Sequence, residues 1–221
     1  MIDLAATFSS LTHHHIATPA APLPEPRPGI TWIVGANGVF KRGVSDQLEL
    51  LAAVELFQRP IPGLAKLLPH VRWRCWPGRL DGRLLAPLLS DARQAMAGGT
   101  IVRPVEKQFF FVERDGLRVV APHVQTGTPA SLRYTMPVRG TLLLDLHSHH
   151  SMRAYFSATD DRDDNGLSVS AVIGNIYTRP EIVTRLNVYG QHWPVPALMI
   201  FDQLGPFIDR YGGGSRADAD D

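Results

Sequence analysis

The chain has little of what many enzyme classes depend on. Cys75 is its single cysteine in 221 residues, so no intrachain disulfide can form. Thiolate zinc sites are excluded for the same reason, and with them the nucleotide deaminases, whose metal needs a Cys-x-x-Cys. A reducing cytoplasm is the setting this composition fits. Long apolar runs are missing too: none approaches the ~20 residues needed to span a bilayer. Residues 1–29 show neither the basic start nor the apolar core of a secretory signal. Charge of one sign is absent, because 22 Lys and Arg against 21 Asp and Glu leave a net charge of +1. That balance gives no chain-wide drive toward nucleic acid. There is no His-Glu-x-x-His and no Gly-x-Ser-x-Gly, and neither "GANG" nor "GGG" opens a phosphate loop.

What is present reads as a globular protein with one substantial domain and an extension, since apolar residues are 44% and charged residues 19%. Five prolines fall within residues 17–28, which predicts a flexible segment over 1–28 with no core of its own. His13, His14 and His15 fall inside it and are expected to be disordered rather than metal-binding. Residues 29–78 contain Trp32, Ile33, Val34, Val39 and Phe40, which need apolar cover. That predicts an ordered, β-containing extension, with Asn37-Gly38 supplying the positive φ of a hairpin turn. The stretch 46–57 fits a helix or a strand, and the pattern does not separate the two. Between Arg59 and Arg93 there are seven Lys or Arg, with Trp73 and Trp76 among them. This is either a nucleic-acid face or, the reading preferred, an ordinary solvated face.

The main domain is expected over 79–210. Leu84, Leu85, Leu88, Leu89, Ala92 and Met96 predict a helix over about 83–97, ended by Gly98-Gly99. Two strands joined at Asp115-Gly116 should follow, then a buried strand over "GTLLLDLHSH", then a further strand pair, then a closing helix over 196–212. Residues 211–221 are expected to be a mobile tail. The fold class is α/β in the broad sense (α+β), a mixed β-sheet with flanking helices.

Three of the nine histidines lie in "LHSHHSMRAYFSATD", residues 146–160. In an extended backbone His147 and His149 project to the same face, so both imidazoles can reach one ion. Asp160 follows after a turn and completes a set of two nitrogens and one carboxylate. Such a set leaves a coordination position open, as in a catalytic zinc site. Zinc there would bring a bound water to a pKa of about 7. Ser157 and Asp160 also match a capping box, which would fix where Asp160 points.

The full spacing is His-x-His, seven residues, Ser, two residues, Asp. It resembles the JAMM signature of the JAB/MPN metallopeptidases, which hydrolyse peptide or isopeptide bonds at the C-termini of ubiquitin-like proteins. The resemblance implies a Zn2+ ion on His147, His149 and Asp160, with Ser157 helping to hold the oxyanion. It also implies a glutamate on an early strand after the first helix, as proton carrier. Glu106 is favoured for that role over Glu113, which lies beside the hairpin turn. One departure is His150, where most members have proline. "HSHH" with "FSATDDRDD", the proline-rich start and "NGVF" is most similar to the protein A subfamily of the plasmid-borne PRTRC cassettes. That implies a ubiquitin-like protein or its conjugates as partner, beside E1-like and E2-like proteins. The competing functional readings are a non-catalytic MPN scaffold and a plasmid-maintenance DNA-binding protein.

Overall fold

The structure, a computed structural model, describes residues 12–97, 103–122, 125–128, 131–134 and 139–211. The chain forms two compact units, the first of residues 1–77, 161–168 and 186–193, the second of 78–160, 169–185 and 194–221. The first break falls between residues 77 and 78. The first unit also takes in two stretches from late in the chain.

The first unit is built on a five-stranded sheet: β1 (Thr12–Ile16), β2 (Gly29–Gly35), β3 (Gly38–Val44), β4 (Leu48–Leu56) and β5 (His70–Trp73), paired in that order. β4 resolves the ambiguous stretch as a strand, with Leu48 through Ala53 buried consecutively. Ile33, Phe40, Leu51, Ala53 and Leu67 form its core, with Ala17 among them. Arg42 and Glu49 face each other across β3 and β4 and are both buried, with Arg42 Nη2 donating to Glu49 Oε1 at 2.7 Å.

Two expectations fail here. The histidine triplet is not an unstructured run: β1 pairs in parallel with β2, and Ala17 after it is fully buried. The proline-rich stretch is tied down as well, because Arg42 Nη1 donates to the Pro24 carbonyl at 2.6 Å and His15 Nε2 contacts the Ala21 carbonyl at 2.9 Å. Composition alone could not reveal these distant acceptors. Residues 1–11 and 212–221 lie outside the described residues. The second difference is the hairpin. β2 and β3 do pair around Ala36-Asn37, but neither Asn37 nor Gly38 has a positive φ. Asn37 uses its amide to hold both backbone groups of Leu67, at 2.9 and 2.8 Å. Gly38 is needed for closeness, since a Cβ there would lie 2.3 Å from the Glu55 carbonyl oxygen.

In the second unit a 3-10 turn (Gly82–Leu84) leads into α1 (Leu85–Arg93), which buries Leu85, Leu88, Leu89 and Ala92 on one stripe. Pro87 sits in its first turn, where its missing N–H costs nothing. The helix stops short of 97. Val105 N takes the Ala95 carbonyl, and β6 (Met96–Ala97) pairs with β7 (Arg103–Pro104), so the backbone is committed elsewhere. Gly98 and Gly99 lie outside the described residues.

β8 (Gln108–Glu113) and β9 (Leu117–Val120) form the expected hairpin, with Asp115 at φ 52° and Gly116 at φ 107°. A small hairpin, β10 (Gln125–Thr128) with β11 (Ser131–Tyr134), precedes β12 (Thr141–Ser148). After α2 (Ala158–Asp163) come β13 (Leu167–Gly174), β14 (Glu181–Val188), β15 (Gln191–Val195), α3 (Ala197–Ile200) and β16 (Ile208–Asp209). The sheet runs β15-β14-β13-β12-β8-β9, with β16 beside β14. β12 lies antiparallel to β8 and parallel to β13, so it is interior to a mixed sheet. Buried Phe109, Phe110 and Phe111 on β8 and Leu144 and Leu146 on β12 make this the core.

The expected closing helix shrinks to the four residues of α3. Phe201 turns extended and bridges Leu80, whose N–H and carbonyl are taken by Ile200 O and Asp202 N. Gly205 at φ 54°, followed by Pro206, prevents the helix from resuming. Asp209 then caps α3, accepting from Ala197 N at 2.8 Å. The basic stretch 59–93 is divided between the two units. Arg79, Arg83 and Arg93 within it hold the Leu198 carbonyl, Asp81 and the Ile176 carbonyl. No described helix is long and apolar enough to cross a membrane.

Candidate metal centre

The site forms where β12 ends. Its last ladder partners put His147 opposite Gln108 on β8 and Val172 on β13. His149 follows, its N–H donating to Ile173 O at 2.7 Å as the last bond of the parallel β12–β13 ladder. The next turn packs so closely on β13 that a Cβ on Gly174 would lie 2.2 Å from Ala154 N and 2.3 Å from the Arg153 carbonyl carbon. Glu181 Oε2 also accepts from Ala154 N, at 3.4 Å. The loop is thereby held before it reaches Ser157, where α2 begins.

Ser157 and Asp160 form the reciprocal contacts of the capping box. Ser157 N and Oγ both donate to Asp160 Oδ2, at 2.6 and 2.7 Å, and Asp160 N donates back to Ser157 Oγ at 3.3 Å. This leaves Asp160 Oδ1 to face His147 Nε2 at 3.6 Å. His147 Nε2 and His149 Nε2 stand 3.1 Å apart, and the ligand atoms of His147, His149 and Asp160 all lie within 4.8 Å of one another. Two nitrogens on one tetrahedral zinc, with bonds of about 2.0–2.1 Å, would be roughly 3.3 Å apart. The donor set and its spacing therefore fit such an ion.

Electrostatics favour the ligand form. Burial, then the neighbouring His147, pulls His149 down to about 4, so its imidazole is neutral at neutral pH with a lone pair to give. Burial pushes Asp160 upward, but His147 and the hydrogen bonds from Ser157 outweigh it, and the carboxyl stays below its usual range. Glu106 moves the other way. Burial first, then the charge of Asp160, raises it to about 7. Its Oε1 lies 3.9 Å from His149 Nε2.

The structure brings Glu106 to the cluster, although it sits in the lead-in two residues before β8 rather than on the strand itself. Glu113 is remote: it pairs with Thr141 at the other end of β8, about 20 Å of extended chain from Glu106. His150 is not one of the three converging residues. It adopts φ 31°, and its Nδ1 accepts from Ser151 N at 2.7 Å. Two neighbours were not singled out by sequence. Tyr155 places its ring edge-on to His149 at 4.6 Å and is 44% exposed, which makes it an open wall beside the ligands. Phe156 lies under the guanidinium of Arg185, 3.9 Å from its ring centre. The only sequence signal for either was its place between the histidines and Ser157.

Residues 92–188 match the family model described as prokaryotic homologs of the JAB domain. The JAB/MPN resemblance holds. The matched segment runs from the end of α1 to the end of β14 and contains Glu106, His147, His149, Ser157 and Asp160. The mixed α+β architecture with an N-terminal strand extension agrees with that JAB-like fold. No curated protein matches the chain.

Proposed function

We propose that this chain is a zinc-dependent peptidase or isopeptidase of the JAMM type, cleaving an amide at the C-terminus of a ubiquitin-like protein. The observation that supports it most is the convergence of His147, His149 and Asp160 with a buried carboxylic acid, Glu106, beside them. A zinc ion held by the three ligands would supply a Lewis acid and acidify a water molecule. His149 and His147 would offer their Nε2 lone pairs and Asp160 its Oδ1, because Ser157 occupies Oδ2. Glu106, beside the cluster, would accept the proton of the attacking water and pass it to the leaving amine. Ser157 Oγ, on turning from Asp160, is the side-chain donor for the oxyanion.

The likeness to the PRTRC protein A subfamily extends the proposal to a partner. The substrate is the cassette's own ubiquitin-like protein, free or conjugated, with E1-like and E2-like proteins acting on the same molecule. Zinc-loaded protein incubated with C-terminal fusions of that ubiquitin-like protein should release a new C-terminus, identified by mass spectrometry and abolished by a chelator. Stoichiometric zinc without cleavage of any fusion would favour the non-catalytic scaffold.

A further inference from the structure

Between the two histidines, Ser148 is fully buried and takes no part in the metal cluster. Its N–H donates to the Lys107 carbonyl at 3.0 Å, an ordinary ladder bond between β12 and the lead-in to β8. The return bond is unusual. Lys107 N donates to Ser148 Oγ at 3.0 Å rather than to a strand carbonyl. The β12–β8 ladder is ending here, His147 and Gln108 being its last paired residues, and the hydroxyl closes the last ring. A hydroxyl is required: an aliphatic side chain offers no acceptor, and a buried N–H without one is rarely tolerated. Lys107 is also held from its other end, where Nζ reaches Asp91 Oδ1 on α1 at 2.6 Å. The residue before it is Glu106.

We infer that Ser148 is the positioning residue for Glu106: it clamps the Lys107 amide and so holds the Glu106 carboxylate against the His147–His149 pair. The inference rests on the peptidase reading for its catalytic consequence, but the clamp itself exists in the metal-free chain. It gives the middle residue of the His-x-His a task distinct from that of its neighbours. The two histidines address the ion, and the serine addresses the base. Because a displacement near 1 Å costs a reacting group around 10²-fold in rate, loss of the clamp falls on turnover rather than on substrate binding.

The test uses the full chain and three variants. Ser148→Ala removes the acceptor, Ser148→Cys replaces it with a poor one of similar shape, and Ser148→Thr keeps the hydroxyl. In metal-free protein, amide hydrogen exchange of Lys107 read by NMR should quicken at least about tenfold in the Ala and Cys variants and return toward wild type in Thr. Zinc-loaded Ala and Cys variants should lose about 10–100-fold in kcat on a ubiquitin-like protein carrying a C-terminal fluorogenic amide, with KM within about twofold and zinc still stoichiometric. The Ala and Cys pair decides the matter even where the extra methyl of threonine is not accommodated. Protection of Lys107 unchanged in Ser148→Ala, or a loss confined to KM, overturns the inference. An inactive wild type whose Lys107 protection still depends on Ser148 would sink the peptidase reading and leave the clamp standing.

Discussion

Gly174→Ala is a sharp test of how the metal loop is held. The position is closed by backbone: a Cβ would meet Ala154 N at 2.2 Å, the Arg153 carbonyl carbon at 2.3 Å and the Met152 carbonyl oxygen at 2.6 Å. None of these is a side chain that can rotate away. Ordinary contact requires about 3.5 Å, so the 152–154 loop has to retreat from β13 by about 1 Å. Overpacking of this kind costs typically 1–3 kcal/mol. The retreat also strains the Asn175 N to Met152 O bond, at 2.6 Å, and the Ala154 contact with Glu181. The same loop carries the chain from His149 to Asp160, so the ligand triangle opens with it. The variant should lose about 2 kcal/mol by urea unfolding followed through tryptophan fluorescence, and should release zinc to a competing chelator at least about tenfold more readily. Stability within about 0.5 kcal/mol of wild type and unaltered zinc affinity would refute the close-approach argument.

Glu106→Gln should keep stoichiometric zinc yet lose at least about 10²-fold in hydrolysis, since the amide cannot accept a proton; comparable loss in Glu113→Gln instead would reassign the base. In metal-free protein the same substitution has a pH signature. The folded Glu106 titrates near 7, above its unfolded 4.5, so its favourable term is complete below about pH 4.5 and is lost as pH rises through 7. Metal-free Glu106→Gln should therefore be more stable than wild type at pH 8, with the gap closing toward pH 4 in denaturant melts. His149→Ala should abolish stoichiometric zinc by elemental analysis, whereas His150→Ala should retain it. For Glu49, burial pushes the carboxyl up, but Arg42 and then His70 outweigh it, so its folded value lies below the usual 4.5. Its contribution is present above that pH and disappears as pH falls through the folded value. Glu49→Gln should cost about 3 kcal/mol at pH 7 by urea unfolding, and the difference from wild type should close as pH falls through Glu49's lowered folded value.

The candidate metal cluster was legible because it is local: a strand end and one helix cap bring His147, His149 and Asp160 together within a single stretch. The hairpin at Asp115-Gly116 and the buried runs of β8 and β12 were legible for a similar reason, since each shows its pattern over a few neighbouring residues. β1 was not, because Thr12–Ile16 has no apolar alternation and its pairing depends on β2, beyond a proline-rich stretch. The closing helix misled because helical spacing after Ala197 competes with a bridge to Leu80, more than a hundred residues earlier, and loses. Gly174 and Ser148 looked interchangeable with their neighbours. What they do depends on backbone that reaches them only after folding. Glu106 lay between these cases, visible through the order of elements and through nothing in its own surroundings.

On the proposed reading, the candidate ligands come from the end of β12 and the first turn of α2, whereas the candidate proton carrier arrives from the lead-in to β8. The two halves can therefore be lost separately in descent. A homologue that kept every histidine and the aspartate but lost the carboxylate before β8 would still collect its metal and stay inert. One that kept the carboxylate and lost a histidine would hold a stray buried acid and no ion. Under that reading the motif alone would report metal capture, and the residue two places before the phenylalanine strand would tell the hydrolases from the mute.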